Sequence, residues 1–450
     1  MNAAPSLSRR MAMMAQATDI MALGPEPREK ARLCLADFLS CIFEASDLPW
    51  SRQGKSLATP LPQGCTIMAS PLKASAMDAA FANAVMAHGL VREDMHAASN
   101  SHHGVVVWSS LLALSETVPV TGRQLIDAAI LAYEAGARLG RVLFDKELAR
   151  LFRPTGLTTP IGATLGAARL LGLTVDQTVS ALALAANQAG GLNQWPHSGS
   201  SDMYFHPGFA ARSAITAALL AQAGAEGSEE ILEGEAGLFA SFARRTAPHG
   251  IELFPEGQAD ILNVYYKPAP ACNYAQTASQ CALTLIQRHP LPAADIAAIS
   301  IRVSDAALHY PGCNAKGPFV RALQAKMSII FSTAAVLATG RIDEDNYHQL
   351  DNPVINRLID MTDLQSTIDY TSAFPAKQGT GLSITLVNGS ILNIAQDDVV
   401  PASADMVHER LTRAVSRTSG GQTATNLLSV LARLETMVSI TPLTELCRTR

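Results

Sequence analysis

Four of the chain's eleven histidines and two adjacent carboxylates fall in one stretch, HGLVREDMHAASNSHHG at residues 88–104. Imidazoles are the side chains that take and give protons near neutral pH, and a carboxylate beside one fixes its tautomer and orientation. The flanking text is almost wholly apolar, so these polar groups fall in a loop between buried helices, where rigid elements hold catalytic groups in place. An exposed loop accounts for the same residues. Zinc ligation does not, because the histidine spacings of eight, six and one match no standard metal motif.

Three further groups carry possible chemistry. Arg153, in Leu151-Phe-Arg-Pro-Thr-Gly, can grip a carboxylate with its two-pronged guanidinium, or cap a neighbouring helix. His206-Pro207-Gly208 reads as the start of a buried helix. In Tyr265-Tyr266-Lys267-Pro-Ala-Pro-Ala-Cys272, Pro268 and Pro270 stiffen the chain beside Lys267. Desolvation in a cleft would lower the Lys267 pKa into the range useful for proton transfer; a surface lysine on a stiff linker is the plainer alternative. GxGxxG, GxxxxGK[ST], HExxH and GxSxG patterns are absent.

The elements that must position these groups are mostly helical. Apolar residues recur at helical spacing over 74–88, 106–116, 122–142, 162–171, 175–190 and 208–224, nearly all round the helix, as in the interior of a large bundle. Thr121 with Gln124 and Thr174 with Gln177 form capping-box signals, and Gly172 and Gly224 mark stops. From about residue 262 the pattern changes. Residues 296–303 alternate as a strand, and 383–387 and 390–394 flank Asn388-Gly389, a hairpin signal. Residues 322–339, 343–350 and 353–360 read as helices, and polar helices return after Pro401. The expected fold is mainly α: a helical domain over 1–265, a smaller α+β lid domain over 266–400, and C-terminal helices over 401–450 returning to the first.

Composition narrows the function. Of 450 residues, 48% are hydrophobic and 16% charged, enough to bury large cores and far from a disordered chain. A net charge of -5 without a basic run argues against a nucleic-acid partner. The seven cysteines are scattered and never spaced CxxC, which fits reduced thiols. Neither a signal peptide nor a membrane span is legible, so a soluble, cytoplasmic protein is expected.

The clusters, taken in order, resemble the MmgE/PrpD family over nearly the whole chain. AHGLVREDMH followed by SHHG is similar to the family's AHALDxDDTH…THPG, RPTG to HPTG, and FHPGFAARSAITAALLAQAG to LHPGxAAxSGxxAALLAxxG. YKPAPAC is similar to YKPYPxC, and QAKMSIIFSTAAVLATGRI to EAKFSLxYxxAxALxxGxV. The family includes 2-methylcitrate dehydratase, cis-aconitate decarboxylase and iminodisuccinate epimerase. The resemblance implies a helical domain, a lid with the active site between them, and a homodimer. It further implies a small di- or tricarboxylate substrate, with no metal or organic cofactor. It carries His102 and Lys267 over as base and cationic acid or anion clamp, and Asp94 as the orienting carboxylate. Arg153, His96, His103, Tyr204 and Gln276 are the further candidates for substrate contact.

Four positions depart from the family's pattern: Arg153 stands for a histidine, Met203 for a lysine, Gln276 for a histidine and Phe331 for a tyrosine. Dehydration needs a base and a separate acid for the leaving oxygen, whereas epimerisation needs only two groups facing one carbon. The expected reaction is therefore epimerisation. A dehydratase- or decarboxylase-type lyase is the alternative, and a non-catalytic binding protein with a degraded site the remote one.

Overall fold

A computed structural model describes residues 4–449. The principal helices of the first part are α1 (Leu7–Ala17), α2 (Glu26–Ala45), α3 (Ala76–Ala87), α4 (His103–Ser115), α5 (Gly122–Leu143), α6 (Pro154–Leu171), α7 (Val175–Asn187) and α8 (Asp202–Gln222). Both expected capping boxes form, at Thr121 and Thr174. Gly172 ends α6 in the left-handed conformation, which costs glycine no Cβ clash. Helices α3, α4 and α6 are buried on nearly every side, so their uniform apolarity reflects a place inside the bundle. α5 and α6 approach closely because Gly162 has no side chain: a Cβ there would meet the Ala132 carbonyl at 2.5 Å.

The second part opens with α9 (Gln276–Arg288) and α10 (Ile329–Thr339), packed on a four-stranded sheet. Its strands are β1 (Ile296–Val303), β2 (Thr362–Ser366), β3 (Thr380–Leu386) and β4 (Ile391–Gln396), in the order β2-β1-β3-β4. β1 runs parallel to β2 and antiparallel to β3, and β3–β4 is the expected hairpin, with Gly389 at positive φ. The chain then returns as α11 (Ala404–Ser419), whose Val407 and Leu411 join the same hydrophobic core as Leu35, Phe38 and Leu39 of α2. A second core holds the lid's side chains together with Val91, Trp195, Met203 and Tyr204 from the helical part. The chemistry-bearing segments lie where these two cores meet.

Three local expectations are corrected, and one strand went unforeseen. α8 begins at Asp202 rather than at His206-Pro207-Gly208, because Met203 and Tyr204 are buried against the lid and draw the extra turn into the helix. α6 begins at Pro154, a residue whose missing N–H suits a first turn. The helix expected over 322–339 is broken at Ser328, whose extended backbone lets its hydroxyl cap the Phe331 N–H at 2.9 Å. β2 was not legible, since its TDLQS sequence is a polar edge strand without apolar alternation. All seven cysteines are free and buried. Among the described residues no helix is long and apolar enough to cross a membrane.

Candidate active site

His88 caps the end of α3, and the chain crosses residues 89–102 before α4 begins. Midway, Met95–His96 pairs antiparallel with Val264–Tyr265. That short ladder carries Lys267, two residues further on, alongside the histidine segment. Val91 has φ of 59°, an unfavourable left-handed conformation for a β-branched residue. The turn directs the Val91 carbonyl at the Lys267 ammonium, which donates to it. Strained backbone of this kind is stored at functional sites.

Glu93 is the hub. One of its oxygens lies 2.5 Å from His88 Nδ1 and 3.1 Å from His102 Nδ1. Arg153 donates to His88 Nε2 at 2.9 Å. A guanidinium never accepts, so Nε2 of His88 carries the lone pair, and His88 is a neutral imidazole donating from Nδ1 to Glu93. The same logic fixes His102. Its Nδ1 faces two acceptors, Glu93 and the Asp94 carbonyl at 3.1 Å, so the proton sits on Nδ1 and Nε2 is left basic. Burial holds His102 well below the usual histidine value, and Glu93 offsets this only in part. His102 is therefore uncharged at neutral pH. Burial pushes the Glu93 carboxylate up, but His88, His102 and Lys267 together hold it ionised, far below the usual range.

Lys267 is fully buried, and that burial lowers its pKa to about 8 against the attraction of Glu93. Its loop is clamped from two sides. Arg410 of α11 donates to the carbonyls of Lys267 and Pro268 at 3.0 and 2.9 Å. The Gln276 amide accepts from Ala269 N–H and donates to the carbonyls of Ala269, Ala271 and Cys272. Gln276, expected to touch substrate, is thus placed behind the Lys267 loop. Gln276→Leu should retain helical circular dichroism yet lower kcat by ~10–100-fold, because a displaced proton donor is costly. Looser packing would also hydrate Lys267 and move the alkaline limb of the pH–rate profile upward, a shift that simple destabilisation does not produce.

The other expected residues divide. Asp94 turns away from the imidazoles and accepts from the Tyr133 hydroxyl at 2.5 Å and the Gly104 N–H at 3.1 Å, locking the segment onto the start of α4. His96 and His103 meet through Ser99, at 2.8 and 3.1 Å, and His103 also meets Thr159 at 3.2 Å. His96 further faces Asp260 at 3.5 Å. Both rings brace the segment from below. Tyr204 stacks on Trp50, with ring centroids 3.8 Å apart. Glu93 and His88 were not singled out by sequence reasoning. Adjacent Glu93 and Asp94 give no local sign of which one faces the site, since neighbours in an extended segment point opposite ways.

His102, Arg153 and Lys267 line one narrow cavity of about 20 Å³, at the seam between helical part and lid. It has room for about one water molecule and not for a multi-carbon acid, so binding must part the seam. A surface cleft of about 560 Å³ shares Asn100, Tyr274 and Tyr310 with the cavity and marks the approach. Another cleft, of about 630 Å³, reaches Tyr310 but is lined by none of His102, Arg153 and Lys267. Among the described residues no group of three or more His, Cys, Asp or Glu is arranged to hold a metal ion. A neutral base, a cationic proton donor and a buried guanidinium around one cavity can move a proton next to a carboxylate.

Residues 9–250 match the MmgE/PrpD N-terminal domain and residues 269–405 the MmgE/PrpD C-terminal domain. The chain belongs to the MmgE/PrpD family. Among MmgE/PrpD proteins it is 26% identical to human cis-aconitate decarboxylase, over 82% of this chain and 79% of that one. It is also 26% identical to 2-methylcitrate dehydratase of Cupriavidus necator, over 81% and 79%. Against the cis-aconitate decarboxylase of Aspergillus terreus identity is 29%, over 47% of this chain and only 44% of the relative's length. The four positions departing from the MmgE/PrpD pattern have different fates here. Arg153 and Met203 line the cavity. Gln276 clamps the lysine loop, and Phe331 packs in the lid core against Phe319 and Tyr347.

Proposed function

We propose that this chain removes the proton α to a carboxylate of a small polycarboxylic acid, with His102 as base and Lys267 as acid. One observation carries the reading: Glu93 and the Asp94 carbonyl occupy Nδ1 of His102, which leaves Nε2 as its basic nitrogen, and His102 lines the cavity that Lys267 also lines. Arg153 grips the carboxylate, and Lys267 stabilises the negative charge that develops as the C–H bond breaks. Asp94, His96 and His103 hold the segment, and Glu93 with His88 holds the tautomer.

The next step decides the reaction class. If the electron pair forms a double bond while the β-hydroxyl leaves with the Lys267 proton, the products are an alkene and water. If Lys267 instead returns its proton to the other face of the same carbon, the product is an epimer. In both, His102 ends as imidazolium and Lys267 as amine, and exchange with water resets them. The relatives, named for a decarboxylase and a dehydratase, weigh toward a lyase, the alternative of the sequence reading. Epimerisation remains the second reading because Met203 and Phe331 leave few donors for a departing group.

Proton NMR in D₂O separates them, using citrate, 2-methylcitrate, cis-aconitate and the stereoisomers of iminodisuccinate. A gained or lost alkene signal is expected. Stereoisomer interconversion with α-deuteration and no alkene would replace the lyase with the epimerase. Absence of α-proton exchange from every acid would overturn the proton-abstraction reading.

A further inference from the structure

We propose that Cys272 and Cys313 form an oxidation site for hydrogen peroxide, in which Cys272 is attacked from the cavity and Cys313 closes a disulfide.

The two sulfurs lie 3.7 Å apart, and both side chains are buried. Among the described residues no other two thiols meet. Cys272 lines the cavity with Lys267 and Arg153, and Cys313 does not, so a small oxidant entering there reaches Cys272 first. The surroundings favour the thiolate, the form that attacks peroxide. A hydrogen bond from the Cys313 thiol to the Cys272 sulfur is the strongest influence and outweighs burial. The Tyr274 N–H and the charges of Lys267 and Arg153 add to it, and the Cys272 pKa falls below its ordinary value. Burial pushes the other six thiols up. Geometry and charge thus single out the same sulfur.

The chemistry balances. The Cys272 thiolate attacks one peroxide oxygen, the O–O bond breaks, and the departing hydroxide takes up the proton that Cys272 gave up. Water leaves and a sulfenic acid remains. The Cys313 sulfur then attacks the Cys272 sulfur, the S–O bond breaks, and the hydroxyl leaves as water with the Cys313 proton. The two sulfurs have lost two electrons and the peroxide has gained them.

The disulfide would act on the seam, a consequence that rests on the reaction site proposed above. The Cys272 N–H donates to the Lys326 carbonyl at 2.8 Å, and the Cys313 N–H to the Tyr310 carbonyl at 3.0 Å. A disulfide is about 2 Å long, so closing it draws the loop from Lys267 to Cys272 toward the loop from Tyr310 to Cys313. Lys267 and Tyr310 are both walls of the cavity. A seam that must part to admit an acid is then tied across.

The reduced full-length protein is treated with hydrogen peroxide or, separately, with oxidised glutathione, and peptide mass spectrometry after thiol alkylation reads the products. Peroxide should link Cys272 to Cys313, and dithiothreitol should reverse the link. At equal concentration oxidised glutathione, too large for the cavity, should react at least ~10-fold more slowly. Cys313→Ser should accumulate the Cys272 sulfenic acid, with dimedone capture ~10-fold above wild type. Absence of the disulfide, dimedone capture at Cys313 in place of Cys272, or equal reaction with oxidised glutathione would overturn the oxidation site. The unmodified protein decides the first and third outcomes even if Cys313→Ser does not fold. None of these readouts depends on turnover, so they stand apart from the proton-abstraction reading. For any acid whose α-protons exchange, the disulfide form should exchange them ~10-fold more slowly and recover with dithiothreitol. Unchanged exchange in the disulfide form would leave the oxidation site standing and overturn its hold on the seam.

Discussion

His102→Ala should lower kcat/KM by ~10³-fold while leaving helical circular dichroism intact, because a positioned general base supplies ~10²–10⁴ of rate. The fold should tolerate the change, since the hydrogen bond from residue 102 to Thr155 uses the backbone N–H. Lys267→Met should cost a similar factor, and the pH profile tells the two losses apart. The base works when neutral, and burial lowers the His102 pKa well below its usual value, so activity stays on a plateau into mildly acidic solution. The acid works when protonated, and Lys267 titrates at about 8. Accordingly kcat/KM should fall as pH rises through about 8. Lys267→Met should remove this alkaline limb along with most of the rate, whereas His102→Ala should retain the limb on its residual rate. A limb near 8 that survives in Lys267→Met would show that another group titrates there.

The same two residues mark how far the sequence could be read. Residue type and neighbourhood marked the histidine-rich break between apolar helices and a lysine stiffened by prolines, while His102 within that break was picked by the family resemblance. Their meeting was not accessible, because it depends on a two-residue ladder, Met95–His96 with Val264–Tyr265, too short to leave a pattern. Helix content was legible where helices are buried nearly all round, as α3, α4 and α6 are, and where capping boxes mark the start, as at Thr121 and Thr174. Boundaries failed where a distant partner decides them: Met203 and Tyr204 extend α8 only because the lid covers them. The parts played by polar residues near the site are illegible for a related reason. Gln276 and Asp94 are polar residues inside motifs, and polarity alone does not distinguish a side chain that touches substrate from one that holds the loop which does. Only the hydrogen-bond partners make that distinction, four backbone groups for Gln276 and Tyr133 with Gly104 for Asp94.

The support beneath the site gives the second large effect. Asp260 is 1% exposed and receives two hydrogen bonds from Arg141, at 2.7 and 3.0 Å, and one from Asn263 at 2.7 Å. Arg138 lies 3.2 Å away and His96 3.5 Å. The Asp260 N–H in turn donates to buried Glu134 at 2.6 Å. This network ties α5 to the segment that continues through Val264–Tyr265 to Lys267. Asp260→Ala removes one buried partner and strands the others, so it should lower unfolding free energy by about 3 kcal/mol, seen as a fall in the urea midpoint. The pH dependence has a definite sign. Burial pushes the Asp260 pKa up, but the His96 imidazole nearby and the Arg141 hydrogen bonds outweigh it and hold the carboxyl well below its ordinary value. A carboxylate with a depressed folded pKa stabilises above its unfolded value near 3.9 and loses that contribution as pH falls toward the folded value. The difference in stability between wild type and Asp260→Asn should therefore be full at neutral pH and shrink below about pH 4. A difference that stays constant through that window would mean the network's strength lies in shape and hydrogen-bond count, with the charge contributing nothing. Because the segment leads directly to Lys267, the variants should also lose kcat under conditions where both remain folded.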